Sequence, residues 1–218
     1  MIKNNLTTPQ IILLSFLLAF CSFFYELSFA QLLSSLLGGT YLQYAIAIGL
    51  FTFSLGMGTL LYEKLKSKYD FKKIFIITEM MIIFIIFISP WTMILLNNLG
   101  IVFLLYVSIV LIGVLTGVEL PLLINQNEKI LTKTLAVDYC GMILSSISFP
   151  LLFFPKLGLV PGIYFVCMIN IFSIIVLLTN KKWKWIAIFL LVAFILLIFS
   201  NINELNHLSS AMLELRHD

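Results

Sequence analysis

The chain is 218 residues long, 61% hydrophobic and only 11% charged, with a mean hydropathy of +1.12. That composition lies far enough from the soluble average to exclude an ordinary globular domain and to point to an integral membrane protein. The net charge of +3 is small and its lysines sit in short segments between apolar runs, with no basic stripe interleaved with aromatics, so no nucleic-acid partner is expected.

Residues 1–8 are a short polar start, and Thr8 followed by Pro9 reads as an N-cap with proline in the first helical turn. The apolar run 11–37 that follows holds one charge, Glu26, in the sequence Phe23-Phe24-Tyr25-Glu26-Leu27. A cleavable signal peptide is the competing reading, on Lys3 and Ser28-Phe29-Ala30; it fits less well because the run is too long and Glu26 falls where a cleavable segment ends. Gly38-Gly39-Thr40 predicts a tight turn into 41–61, where Gly49, Ser54, Gly56 and Gly58 form a small-residue stripe that predicts a span deep in a helix bundle. Residues 62–73 hold Lys64, Lys66, Lys68, Lys72 and Lys73, the densest positive loop.

The next run, 74–96, carries Glu79 about one turn in and Pro90-Trp91 near its far end, where tryptophan suits a membrane interface. A neutral turn at 97–100 leads to two apolar runs, 101–125 and 134–154, around a short charged loop, with Glu119 in the first and Asp138 in the second. Pro121 and Pro150 remove backbone donors inside these runs, which predicts a kink or break in each. Residues 155–158 turn into 159–179, and Lys181, Lys182 and Lys184 separate that run from 185–202. The fold class is therefore all-α: a polytopic transmembrane bundle of about seven spans over residues 1–202. The tail 203–218 places Leu205, Leu208, Met212 and Leu215 at helical spacing beneath Glu204, His207, Glu214 and Arg216, the pattern of an amphipathic interfacial helix.

Orientation follows from the cations. With the N-terminus cytoplasmic, that tail and the second, fourth and sixth loops hold all but Lys156 and Arg216 of the 13 basic residues. An internal repeat is also legible. Tyr25-Glu26-Leu27 and Val118-Glu119-Leu120 each precede a helix bearing a tyrosine, Tyr44 or Tyr139, and then small residues. Three spans separate the copies, so they run in opposite directions, which describes a three-plus-three inverted repeat plus one helix. Chance similarity between apolar segments is the other reading.

Chemistry is sparse. Cys21, Cys140 and Cys167 fall in apolar spans without CxxC or His-flanked spacing, and His207 and His217 are ten apart, so neither a disulfide framework nor a metal site is indicated. Ser145, Ser146 and Ser148 have no histidine base nearby, and no glycine-rich nucleotide loop follows a strand, so no nucleophile and no cofactor are expected. What remains are the carboxylates. One at a helix centre costs about 2.5–3.5 kcal/mol on insertion scales, so it normally faces a protein interior, a water cavity or a cation.

Several stretches together carry a resemblance: Tyr25-Glu26-Leu27, Gln43-Tyr44, IGLFTFSLGMGTLL at 48–61, TGVELPLL at 116–123, LAVDYCGM at 135–142 and FPLLFFPKLGL at 149–159. From about residue 23 to residue 178 the chain resembles the N-terminal membrane domain of bacterial membrane-bound polyamine aminopropyltransferases, the spermidine synthase-like family. The resemblance implies a multi-pass protein of the bacterial cytoplasmic (inner) membrane. It also implies a fused soluble Rossmann-like domain using decarboxylated S-adenosylmethionine and putrescine; this chain has no stretch for it, since sixteen residues follow Ile202, so catalysis by the chain alone is not expected. Ser145 and Ser146 stand where family members are expected to have glycine, which puts the closeness of that helix contact in question.

Two functions follow. In the first, the chain binds or transports a polyamine or other small cation, with Glu26, Glu79, Glu119 and Asp138 as anionic sites and Tyr25, Gln43 and Tyr139 as hydrogen-bonding or cation-π partners. Each acid has a plainer reading, a neutral carboxyl that only fixes helix packing. In the second, the chain is a membrane anchor or assembly subunit that recruits a separate soluble aminopropyltransferase. Its partners are then the lipid bilayer together with either the amine or the synthase.

Overall fold

In the computed structural model, residues 6–178 are described; the predicted span 185–202 and the tail 203–218 lie outside them. Every regular element among the described residues is helical: α1 (Thr8–Leu37), α2 (Thr40–Leu65), α3 (Phe71–Asn98), α4 (Val102–Ile124), α5 (Leu131–Ser148), α6 (Phe154–Leu157) and α7 (Leu159–Leu177). A five-residue π-helical stretch, Phe149–Phe153, joins α5 to α6, so that Glu128–Leu157 forms one continuous rod. Among the described residues, six helices are then long and apolar enough to cross a bilayer.

The helix ends follow from local chemistry. The cap of α1 is Thr7, one residue earlier than predicted, because Gln10 reaches back: its Oε1 accepts from the Thr7 N–H and from the Thr7 hydroxyl, both at 3.0 Å. Between α1 and α2, Gly38 and Gly39 have φ of 72° and 62°, the left-handed region that glycine enters without a Cβ penalty. The prolines act unequally. Helix α4 runs through Pro121 without a break, three residues before its end. At Pro150 the α-helix gives way to the π-helical turn, which accommodates the missing N–H. Pro90 sits inside α3, and the carbonyl it leaves without a backbone donor, Ile86 O, accepts instead from the Ser89 hydroxyl at 2.8 Å.

Helix α1 is the hub, packed against α2, α3, α4, α5 and α7. Its two faces are buried because aromatic and aliphatic side chains meet it on every side: Phe24 lies edge-on to both Phe149 and Phe153, with centroids 5.1 Å away in each pair. The most extensive contacts are α4 on α2 and α5 on α1, followed by α4 on α3, α2 on α1 and α7 on α1. Small residues permit the closest ones. A Cβ on Gly58 would come within 3.0 Å of Val114 O and of the Gly117 backbone, and one on Gly117 would strike Leu55. On the other seam, Gly141 lies against the Phe16 carbonyl.

Helix α2 does not lie deep in the bundle. Only one seam of it is buried, Gln43, Ala47, Phe51, Ser54, Gly58 and Tyr62, while Phe53 and Leu60 point outward and Gly49 and Gly56 have open space beside them. The four small residues do not make one stripe: Ser54 and Gly58 are one helical turn apart and face α4, whereas Gly49 and Gly56 fall on other sides of the helix. Ser145 does not hold α5 off α1, because the tight approach is made by Gly141 one turn earlier. The outer faces are strongly apolar, with Phe84, Phe103, Ile143 and Leu151 exposed. The interior is largely apolar too, but it holds acids: Glu26, Glu79, Glu119 and Asp138 are all buried, and no Lys, Arg or His is buried among the described residues.

Candidate functional site

A cavity of about 180 Å³ opens between α1, α2, α4 and α5. It is smaller than the roughly 300–1,000 Å³ of sites for drug-sized ligands, and suits a slender chain or a few waters. Its walls are mostly apolar, from Leu18, Ala19, Leu55, Leu120 and Met142, and its polar groups are Ser15 and Ser22 of α1, Thr59 of α2, Thr116 and Glu119 of α4 and Asp138 of α5.

Each helix delivers these groups for a local reason. Ser15 and Ser22 are seven residues apart, two turns along one face of α1. Asp138 follows Thr134 by one turn, so both face α1, where the Ser15 hydroxyl lies 3.2 Å from the Thr134 carbonyl and 3.5 Å from Asp138 Oδ1. Thr116 turns its own hydroxyl back onto the Ile112 carbonyl at 3.0 Å, which leaves Glu119 one turn on as the reactive group of α4. Glu119 Oε1 is buried without a hydrogen-bond partner.

The carboxyl of Glu119 is near enough to feel the charges of both Asp138 and Glu79. Glu79, on α3, is completely buried, and neither of its oxygens has a partner. It does not line the cavity. The Tyr25 hydroxyl is sealed in the same interior beside the Cys167 thiol. Cys21 and Cys167 are buried and free, Cys21 Sγ lying 3.8 Å from the Val166 carbonyl, and Cys140 is free and exposed.

The structure therefore brings together three of the expected site residues, Asp138, Glu119 and Glu79, with Tyr25 near the last. It does not bring in the rest. Glu26 is buried in α1 but does not line the cavity and is not among the charges that Glu119 feels. Gln43 is engaged at the start of α2, where its Oε1 accepts from the Tyr106 hydroxyl at 2.9 Å, beside a second pair in which Tyr44 donates to Gln31 Oε1 at 2.7 Å. Tyr139, adjacent to Asp138 in sequence, is 61% exposed on the outer face, because consecutive helical residues point about 100° apart. The four acids thus do not share one cavity. Ser15, Ser22 and Thr116 were not singled out by sequence, although serines at a seven-residue spacing in an apolar helix are a readable signal. Nor was Asn170, whose Oδ1 is buried without a partner in α7.

No group of three or more His, Cys, Asp or Glu side chains is arranged to hold a metal ion among the described residues.

Comparison with known proteins gives one consistent relation. The chain is 34% identical over 149 residues to a polyamine aminopropyltransferase of Leptospira interrogans, an alignment covering 64% of this chain and 29% of that protein. It is 31% identical over 178 residues to the polyamine aminopropyltransferase of Oceanobacillus iheyensis, covering 76% of this chain and 34% of the relative. With polyamine aminopropyltransferase 2 of Aquifex aeolicus it shares 31% identity over 192 residues, 80% of this chain and 38% of the relative. The chain is related to proteins of that name, and it spans about a third of the length of the curated relatives it matches. No family model and no solved structure matches it.

Proposed function

We propose that this chain, related to polyamine aminopropyltransferases, is a membrane-embedded helix bundle that binds a polyamine or a similar small organic cation in the cavity between α1, α2, α4 and α5, and moves it across the bilayer. The observation that carries this reading is the placement of two buried carboxyls, Glu119 and Asp138, on the wall of one recess, with no buried cation among the described residues to neutralise them. A protonated amine supplies the charge and the donors that those groups lack.

Apolar outer faces support the membrane setting, because a soluble monomer rarely leaves so much apolar surface bare. Lysine asymmetry supports a cytoplasmic N-terminus in a bacterial inner membrane. The packing is compatible with a three-plus-three inverted repeat. If α1, α2 and α3 are exchanged for α4, α5 and α7, the contact of α5 on α1 becomes α2 on α4, and α7 on α1 becomes α3 on α4, whereas α2 on α1 has no comparable counterpart between α5 and α4. Glu26 and Glu119 are then matching positions, with only Glu119 open to the cavity; in an alternating-access cycle Glu26, Gln43 and Tyr44 would serve the opposite end.

Replacing Glu119 with Gln keeps shape and removes charge, so polyamine affinity should fall at least about tenfold, on the order of 1.4 kcal/mol, while the protein still folds. Binding should also weaken as pH falls, since protons compete with the amine for the same oxygens. If Glu26→Gln, Glu119→Gln and Asp138→Asn all bind spermidine as the parent does, the cation site is wrong. The second reading, a membrane anchor that recruits a soluble aminopropyltransferase, then takes its place; it is favoured by the restriction of the match to about a third of each relative.

A further inference from the structure

Where α1 meets α5, oxygens of three kinds converge at one edge of the cavity. The Ser15 hydroxyl lies 3.2 Å from the Thr134 carbonyl and 3.5 Å from Asp138 Oδ1, and all three residues are buried. Ser15 and Asp138 both line the cavity. A hydroxyl owns one hydrogen, so it can satisfy only one of these two acceptors. Neither separation is that of a good O–H···O hydrogen bond, which closes to about 2.7–2.8 Å. Serines elsewhere in the bundle do reach that length: Ser54 donates to the Leu50 carbonyl at 2.6 Å, and Ser89 to the Ile86 carbonyl at 2.8 Å. Nor do these long contacts hold the helices together. The α1–α5 seam is among the most extensive in the bundle, and Gly141 lies against the carbonyl of Phe16, the residue next to Ser15.

Such a spacing suits a cation. Oxygens held about 2.4 Å from one ion, at roughly right angles, stand about 3.4 Å from one another. Na+ and Ca2+ share that radius, whereas Mg2+, at about 2.1 Å, draws its oxygens to about 3.0 Å and K+ holds them wider. One carboxylate among neutral oxygens matches a single positive charge, while calcium sites gather more acidic ligands. Na+ meets both conditions.

We propose that Ser15 Oγ, the Thr134 carbonyl oxygen and the Asp138 carboxylate bind one Na+ at the α1–α5 edge of the cavity. The carbonyl keeps a second lone pair beyond its helical bond, and the serine turns its hydrogen away so that its own lone pairs face the ion. Three protein oxygens leave the rest of the shell to water, and a cavity of about 180 Å³ has room for a few molecules. Glu119 lines the same cavity, and its Oε1 is buried without a partner. A water of the ion's shell supplies the donor that this oxygen lacks. The Na+ site does not depend on the amine-binding reading. Because an amine would also draw on Asp138, Na+ is tested with no amine present.

The test is binding of radioactive Na+ to the full chain in detergent micelles, with choline chloride holding the ionic strength. The parent should bind Na+ saturably, and unlabelled NaCl should displace it at least about tenfold better than KCl or CaCl2. Ser15→Ala should weaken binding by about tenfold or more, and Asp138→Asn should abolish it. Thermal melts separate ligation from a merely structural role. NaCl in place of choline chloride should raise the melting temperature of the parent, and that rise should vanish in Ser15→Ala whatever its melting temperature in choline chloride. A parent without saturable Na+ binding overturns the site, as does displacement by KCl or CaCl2 as readily as by NaCl. A Ser15→Ala variant that binds Na+ as the parent does overturns it too. Should Ser15→Ala not fold, Asp138→Asn decides: retained Na+ binding overturns the site, and lost binding at a parent-like melting temperature in choline chloride supports it.

Discussion

Single glycines decide how closely these helices approach. Gly58 and Gly117 meet across the α2–α4 seam with no room for a Cβ, so Gly58→Ala or Gly117→Ala must push two backbones apart, at about 1–3 kcal/mol. Gly49, on the outer face of the same helix, has nothing within 4 Å. Gly49→Ala should be neutral or stabilising by up to about 1 kcal/mol, since alanine is the better helix former. Thermal melts in one detergent compare them directly; a Gly49→Ala loss as large as that of Gly58→Ala would show that the seam is not what holds α2.

At the scale of the element, α3 illustrates how a proline is carried inside a helix. Pro90 cannot donate to the Ile86 carbonyl, and the Ser89 hydroxyl does so at 2.8 Å in a buried setting. Ser89→Ala should therefore cost about 1–3 kcal/mol, the penalty of a buried acceptor left unmade. Adding Pro90→Ala to that variant restores an N–H at position 90, and the double variant should recover most of the loss in melting temperature. A double variant less stable than Ser89→Ala alone would mean that Pro90 stabilises α3 by another route. Pro121, near the end of α4, and Pro150, where the helix widens to a π turn, need no such partner to keep their rods continuous.

For the molecule as a whole, the prediction is topological. In the proposed orientation the loop between α2 and α3 is cytoplasmic and the turn between α3 and α4 lies on the opposite side. With the exposed Cys140 replaced, Ser67→Cys should be labelled by an impermeant maleimide only from the cytoplasmic side and Asn98→Cys only from the other; Cys21 and Cys167 are buried and stay silent. Labelling with the sides exchanged would reverse the bundle.

What the sequence by itself determined is the set of helices between residues 8 and 177. Apolar length, glycine pairs at 38–39 and the glycines at 100 and 158 mark where each begins and ends, because helix ends are governed by contacts within a few residues. It also marked the carboxyls, since any acid in such a run is costly and visible. It did not determine which face of α2 is buried: four small residues looked like one stripe, and only packing against α4 separated Ser54 and Gly58 from Gly49 and Gly56. Nor did it determine which acids meet. Glu26 and Glu119 occupy similar local sequences, and Tyr139 adjoins Asp138, yet the tertiary structure joins Asp138, Glu119 and Glu79 from three different helices and leaves the other two out. That grouping depends on helix rotation and neighbour choice, which arise from contacts between residues far apart in the chain and leave no mark in any local spacing.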